Sequence, residues 1–298
     1  MNNLVISKLS KTYSNGIRAL NNVSLKIHNG MFGLIGPNGA GKSTLMRTLA
    51  TLQEVDEGSI MLDELNVLTQ KDEVRRILGY LPQEFGVYPK ISAEALLSHL
   101  AVLKGIVNRE ERKEIVRALL NKTNLYDVRH KNLGTYSGGM KQRFGIAQAL
   151  LTNPRLIIVD EPTAGLDPAE RNRFHNLLCE LGANTIVILS THIVEDVKEL
   201  CTDMAIINRG EVLLKGDPLK AIETIKGKVY SKTISKSEME DYRKEFVVIA
   251  ERLLLGRPII HIYSEHDPRC GFKQVEADLS DVYFSQIFGE HTNSPTFS

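Results

Sequence analysis

Eight residues, Gly36-Pro37-Asn38-Gly39-Ala40-Gly41-Lys42-Ser43, constrain this 298-residue chain more than any others. They fit the phosphate-binding pattern G-x-x-x-x-G-K-[ST] in full. The short apolar run Gly33-Leu34-Ile35 leads into them, and Lys42 to Leu52 reads as a helix that follows. Glycines here let the backbone bend until successive N–H groups point at phosphate oxygens, and the helix N-terminus adds partial positive charge. Lys42 is placed to reach the β- and γ-phosphates of a nucleotide, Ser43 offers a hydroxyl to Mg²⁺, and Thr44 follows on the same turn. The glycine order, G-x-x-G-x-G, does not fit the dinucleotide fingerprint.

A second feature completes a nucleotide site. Leu156-Ile157-Ile158-Val159 is a continuous apolar run, the mark of a central strand covered on both faces, and it ends in Asp160-Glu161. A buried acidic pair is costly unless something uses it. Asp160 suits a Mg²⁺ site shared with Ser43, and Glu161 can polarise the water that attacks the γ-phosphate.

The rest of the chain predicts a layered α/β fold. Thr185 to Ser190 repeats the buried-strand signature after a helix over Glu170 to Leu181, and Val74 to Tyr80 reads as a strand with its approach. Strands alternating with helices imply a mostly parallel central sheet. Val23, Leu25 and Ile27 alternate with polar residues, as in a half-buried strand of an antiparallel β subdomain. Ala93 to Leu103, Arg109 to Leu120 and Met140 to Leu151 form a helical subdomain over about 84–150. Asn208-Arg209-Gly210-Glu211 predicts a hairpin. Composition shifts to lysine and serine near Ile225 to Ser237, which places a boundary between residues 1–225 and a small C-terminal α+β extension, 226–298. That extension has strand-like runs at Phe246 to Ala250 and Ile259 to Tyr263 and a helix-like stretch from Leu279 to Phe288.

Between the two nucleotide motifs lies Tyr136-Ser137-Gly138-Gly139-Met140-Lys141-Gln142-Arg143, which resembles the signature of ATP-binding cassette (ABC) proteins. Further matches follow in the family's order. Gln83, after Gly79-Tyr80-Leu81-Pro82, resembles the Q-loop glutamine that also serves the metal; Ala164-Gly165-Leu166-Asp167 resembles the D-loop; Ser190-Thr191-His192 resembles the switch-histidine strand end. Tyr13 lies where the family has an aromatic that stacks on adenine. The resemblance covers roughly Leu4 to Pro218 and implies a P-loop NTPase fold and a Mg-ATP-hydrolysing cassette. It further implies a head-to-tail dimer with ATP held between the P-loop of one subunit and Ser137-Gly138-Gly139 of the other. Asp167 would then lie at the dimer interface and His192 would sense the γ-phosphate. Tyr136 and Met140 depart from the commonest signature, leucine-serine-glycine-glycine-glutamine, while the serine-glycine-glycine step before a helix is intact.

That step is also a second anion-suited helix start in a chain that already envelops one set of phosphates, which independently suggests a second nucleotide-binding subunit. Composition narrows the partner. A formal net charge of +1 gives no sign of a polyanion-binding surface, so no nucleic acid is expected. The longest apolar runs are far short of the ~20 residues of a membrane span, and the N-terminus lacks a signal peptide's basic start and apolar core. The expectation is a cytoplasmic protein, peripheral on the inner face of the membrane, driving a separate multi-span permease, with export resembled more than import. Phe85-Gly86-Val87-Tyr88-Pro89 and Ile91 to Leu100 are the candidate surface for that permease, although packing within the helical subdomain accounts for much of their apolarity. The alternative is a soluble cassette ATPase acting on ribosomes or nucleic acid. The single P-loop and the absence of a long coiled-coil insertion argue against it, and a P-loop kinase has no use for the signature. Cys179, Cys201 and Cys270 read as reduced thiols in packed or partly packed positions, and His261, His266, Asp267 and Cys270 as surface loop residues rather than metal ligands.

Overall fold

A computed structural model describes residues 2–289 apart from Glu84, Phe85, Val87, Ala164 and Leu255. The chain opens with strands β1 (Asn3–Thr12) and β2 (Arg18–His28), which pair antiparallel. In β2 the alternating Val23, Leu25 and Ile27 are buried, as their spacing predicts. Strand β3 (Gly30–Ile35) delivers the glycine-rich loop to helix α1 (Lys42–Leu49). The sequence expectation of a helix to Leu52 is three residues too long. Thr51 takes the left-handed conformation (φ 60°) and its hydroxyl accepts from Arg75 Nε at 2.8 Å, which stops the helix there.

Strands β4 (Glu57–Leu62) and β5 (Leu65–Asn66) complete a four-stranded sheet of order β2-β1-β4-β5. The strand expected over Val74 to Tyr80 divides differently. Lys71–Arg76 is a short helix, α2, with Asp72 and Glu73 in its first turn and Arg75 and Arg76 in its last. Those charges suit the helix dipole at both ends, and Val74 anchors the segment in the core. Strand β6 follows at Leu78–Leu81.

Helices α3 (Ala93–Leu103), α4 (Arg109–Lys122) and α5 (Gly138–Ala149) build the helical subdomain around Leu97, Leu120 and Phe144. Ser92 and Asn108 cap the first two through their side-chain oxygens. Strand β7 (Leu156–Asp160), helix α6 (Pro168–Gly182), strand β8 (Ile186–Thr191), helix α7 (Val194–Leu200) and strands β9 (Asp203–Asn208) and β10 (Glu211–Gly216) finish the central layer. Its six strands run β10-β9-β3-β8-β7-β6, all parallel to their neighbours except the edge strand β10, which closes the expected hairpin with β9. The fold is thus a mostly parallel sheet beside an antiparallel one, and β3, β7 and β8 stand adjacent so that their C-terminal ends converge.

Helix α8 (Pro218–Thr224) leads to an antiparallel sheet of order β12-β13-β11-β14, from β11 (Val229–Thr233), β12 (Val247–Leu254), β13 (Arg257–Tyr263) and β14 (Lys273–Gln274). Helix α9 (Met239–Glu245) lies between β11 and β12, and α10 (Leu279–Gly289) ends the described chain. Val229 and Ile249 join Leu279, Val282 and Tyr283 of α10 in the apolar core that also contains Leu200 and Met204. The C-terminal sheet therefore shares a core with the central layer. His261 is not a surface loop residue, as the sequence suggested. Ile260 and Ile262 are buried on one face of β13, so His261 points to the other, where its Nδ1 lies 2.9 Å from the buried Asp281 of α10. Of the cysteines only Cys201 is packed; Cys179 and Cys270 are exposed, contrary to expectation. Among the described residues no group of three or more His, Cys, Asp or Glu is arranged to hold a metal ion.

Candidate nucleotide site

The glycine-rich loop joins β3 to α1 in the space its glycines leave. A Cβ on Gly36 would stand 2.3 Å from the Ile207 carbonyl, and one on Gly41 2.3 Å from the Ala19 carbonyl, where φ is also +106°. Only glycine fits either position. No side chain caps the N-terminus of α1, so its first amides are left to a ligand. Asn38 and Gly39 are exposed at the loop's tip, between Pro37 and the buried Ala40.

Lys42 is buried and donates from Nζ to the Gly36 carbonyl at 2.6 Å and the Pro37 carbonyl at 3.3 Å. Glu161 Oε1 lies 3.8 Å from the same ammonium. Burial pulls the Lys42 pKa below its usual value, and the Glu161 and Asp160 carboxylates oppose that pull. The Lys42 ammonium is thus folded back on its own loop, where a phosphate would offer it a better partner.

Asp160 ends β7 in the interior. Burial raises its pKa; the nearby Ser190 hydroxyl lowers it, Glu161 raises it further, and Lys42 and the Ser43 hydroxyl pull it back. Asp160 Oδ1 is buried without a hydrogen-bond partner in the protein. An orphaned carboxylate oxygen near an exposed serine hydroxyl fits a hard, oxygen-seeking cation such as Mg²⁺.

Glu161 leaves the strand direction at once. Its φ is +49°, and its N–H donates to the Ser190 carbonyl at 2.8 Å. The turn brings its side chain to His192, whose Nδ1 lies 2.6 Å from Glu161 Oε2. Glu161 is therefore bracketed by Lys42 and His192, with Oε1 toward one and Oε2 toward the other. Tyr13 stands beside α1, its hydroxyl 3.1 Å from Thr44 Oγ1 and accepting from Gln53 Nε2 at 2.9 Å. With 39% of its surface exposed, the ring is open to a partner. Gln83 is exposed just beyond β6.

The remaining sequence-predicted residues gather elsewhere. Ser137 caps α5 by accepting from Met140 N–H at 3.2 Å, and Gly138 faces open space. Gly139 packs on Glu170, where a Cβ would stand 2.4 Å from Oε2. Asp167 caps α6 by accepting from Glu170 N–H at 2.9 Å. Ser137 and Asp167 thus cap adjoining helices, held together by Arg143 Nη2 to Glu170 Oε2 at 3.3 Å. Arg143 also donates to the Thr123 and Asn124 carbonyls at 3.1 and 3.0 Å. The two signature departures are packing choices. Tyr136 is buried with its hydroxyl donating to the Val128 carbonyl at 3.0 Å, and Met140 lies half-buried against the helical core.

On the candidate partner surface, Tyr88 and Ile91 are exposed while Ala93, Leu96 and Leu97 pack inward. Phe85 and Val87 lie outside the described residues, as does Ala164 of the D-loop.

Sequence reasoning missed one group. Asp196 of α7 is fully buried and bonded to Thr163 and Arg171, with His175 Nε2 3.0 Å away. The available signal was an acidic residue beside Val197 in a short helix just after His192. Ser190, quoted in the sequence only as part of the switch-histidine strand end, is buried next to Asp160 with an unpartnered hydroxyl.

Comparisons with known proteins agree with this geometry. A family model described as ABC transporter matches residues 20–164. An uncharacterized ABC transporter ATP-binding protein of Bacillus subtilis (strain 168), YxlF, is 35% identical, with 95% of this chain and 99% of YxlF covered. The daunorubicin/doxorubicin resistance ATP-binding protein DrrA of Streptomyces peucetius is 33% identical, over 88% of this chain and 77% of DrrA. Among solved structures, a dimeric ATP-binding cassette in a post-hydrolysis state, bound to ADP and Pi, superposes with a TM-score of 0.65. It is 28% identical and covers 72% of this chain and 98% of its own.

Proposed function

The chain belongs to the ABC transporter ATP-binding proteins, ATP-hydrolysing cassettes, and on that premise we propose that it is the motor of an export system whose membrane-spanning permease is a separate protein. The observation that carries the reading is Glu161 held between Lys42 and His192 at the mouth of the glycine-rich loop. A carboxylate so placed can accept a proton from the attacking water while Lys42 turns from its loop carbonyls to the γ-phosphate. His192, on the far side of Glu161, then meets the γ-phosphate and reports its presence. Tyr13 supports the adenine, and Thr44 orients Tyr13 through its hydroxyl.

Ser43 and Asp160, with Gln83, would hold Mg²⁺, which supplies charge neutralisation on the phosphates. Burial of Asp160 excludes water from that side and leaves its orphaned Oδ1 as the donor atom.

Ser137, Gly138 and Gly139 serve a second copy, or a related subunit, in a head-to-tail dimer. Gly138 faces open space at an exposed helix start, which suits a phosphate brought by a partner, and Asp167 on the adjoining cap would line the same interface. The dimeric assembly of the solved cassette supports this arrangement. Among the described residues no helix is long and apolar enough to cross a membrane, and the exposed Tyr88 and Ile91 are the proposed contact with a permease on a separate chain. The name of the Streptomyces relative supports the outward direction.

The test is affinity purification of a tagged Glu161→Gln form from gently solubilised membranes with ATP present, alongside its turnover. Co-purification of a multi-span membrane protein with severely slowed hydrolysis is expected. Recovery of ribosomes or DNA-bound proteins alone would replace the transport reading with the soluble-cassette alternative. Unchanged turnover would remove Glu161 from the role of base.

A further inference from the structure

Asp196 is an acid with no place in the nucleotide site, yet it is fully buried. Its Oδ2 accepts from Thr163 Oγ1 at 2.6 Å. Its Oδ1 accepts from Arg171 Nε at 2.9 Å and Nη2 at 2.5 Å, and His175 Nε2 stands 3.0 Å away. His175 in turn reaches Glu199 through Nδ1 at 3.3 Å. A buried carboxylate with charged partners is poor evidence for stability, because apolar residues of similar volume fill such a space as well or better. What sets this one apart is where its partners come from.

Thr163 lies two residues after Glu161. Helix α7, which carries Asp196, begins two residues after His192. Arg171 lies one turn beyond Asp167, the cap of α6. One carboxylate therefore ties together the segment bearing the proposed base, the helix following the γ-phosphate sensor, and the helix started by the proposed interface aspartate. Glu161 and His192 meet at 2.6 Å just beyond the ends of β7 and β8, where the Glu161 N–H on the Ser190 carbonyl sets the turn, and the segments that lead on from both are tied at Asp196.

We propose that Asp196 is a positioning residue for ATP hydrolysis, locking the Glu161, His192 and Asp167 segments into one arrangement through Thr163 and Arg171. The proposal rests on the reading of Glu161 as the base. Since hydrolysis requires the base aligned on the attacking water, and small misplacements are costly in rate, loss of the lock acts on turnover rather than on nucleotide binding. Lys42, Ser43 and Tyr13 are not bonded to the Asp196 cluster and keep their places.

The experiment uses the full chain and three variants, Thr163→Val, Thr163→Ser and Asp196→Asn, with Glu161→Gln as the control. Thr163→Val keeps the shape and deletes the one hydroxyl. It is expected to lower kcat about tenfold or more with KM and the Kd for Mg-ATP within about twofold, and to melt well above the assay temperature. Thr163→Ser restores the hydroxyl and should restore most of kcat. The double variant Thr163→Val/Asp196→Asn should be little worse than Asp196→Asn alone, because the two share one interaction. The proposal is overturned if Thr163→Val keeps wild-type kcat, if Ser and Val lose turnover equally, or if kcat falls only together with affinity and melting temperature. If Asp196→Asn fails to fold, the Val and Ser pair still decides. Glu161→Gln retaining full turnover overturns both this proposal and the site reading. Its loss of turnover beside an unaffected Thr163→Val overturns this one alone.

Discussion

Replacing Tyr13 by alanine separates the base-binding half of the site from its phosphate-binding half. The ring is part exposed and its hydroxyl is tethered to Thr44 and Gln53, so the side chain is already ordered and little further entropy is lost when a base stacks on it. Base–aromatic stacking contributes about 1–3 kcal/mol by alanine substitution. With tenfold in affinity for each ~1.4 kcal/mol, Tyr13→Ala should raise the Kd for Mg-ATP about 5- to 150-fold. The ring is 39% exposed rather than fully open, which favours the lower part of that range. Tyr13→Phe keeps the stacking face and loses only the tether, so its Kd should rise less than about fivefold. Titration calorimetry with Mg-ATP and with inorganic tripolyphosphate provides the assay. Tyr13→Ala should weaken ATP alone and leave tripolyphosphate unchanged. Equal weakening of both would show that Tyr13 acts by shaping the glycine-rich loop, and no weakening of either would remove it from the site.

The phosphate half has its own tests. Lys42→Ala should lose most affinity for ATP and for tripolyphosphate alike, and tight binding of labelled ATP by this variant would contradict the loop assignment. Ser137→Arg should leave ATP affinity of the monomer within about twofold and reduce turnover at least ~100-fold, because in the proposed dimer the arginine would fill the partner's phosphate position. Equal loss of monomer binding would place Ser137 in its own subunit's site. Asp160 predicts a trade between stability and function. Its carboxyl pKa is raised by burial, so the fold binds a proton that the unfolded chain releases more easily, and stability falls as pH rises from the unfolded pKa through the folded one. Asp160→Asn should therefore melt a few degrees higher than wild type at neutral pH without nucleotide, converge with it in acid, and lose Mg-dependent hydrolysis. A melting difference that grows toward low pH would have the wrong sign.

How far these residues could be read from sequence depends on whether their signal is local. The glycine-rich loop and the β7 carboxylates carry their chemistry in consecutive residues, and the structure brings Lys42 to Glu161 at 3.8 Å. The parallel strands were legible because burial on both faces demands unbroken apolar runs. Lys71–Arg76 was not, because a six-residue helix with one buried residue has no period to detect. Asp196 was not singled out, because an acid on a helix is ordinarily solvent-facing and its partners Thr163 and Arg171 are 33 and 25 residues away. His261 failed for a related reason, since its partner Asp281 comes from α10, 20 residues on. In each case a buried charge is made tolerable by a group that sequence spacing does not bring near.

Glu161 shows the limit most sharply. Its place after a buried strand names it as the candidate base, but not the left-handed backbone that aims it. A residue with a Cβ at φ +49° is strained, and glycine would relieve that strain. Glycine would also leave Lys42 and His192 without the carboxylate they share. The conformation is held by the N–H of Glu161 on the Ser190 carbonyl at 2.8 Å, so the adjacent strand β8 imposes the turn. β8 also ends one residue before His192, which makes a single strand responsible for the direction of Glu161 and the position of His192. β8 sets where the two residues begin, and Asp196, outside the sheet, holds the segments that lead on from them through Thr163 and Arg171.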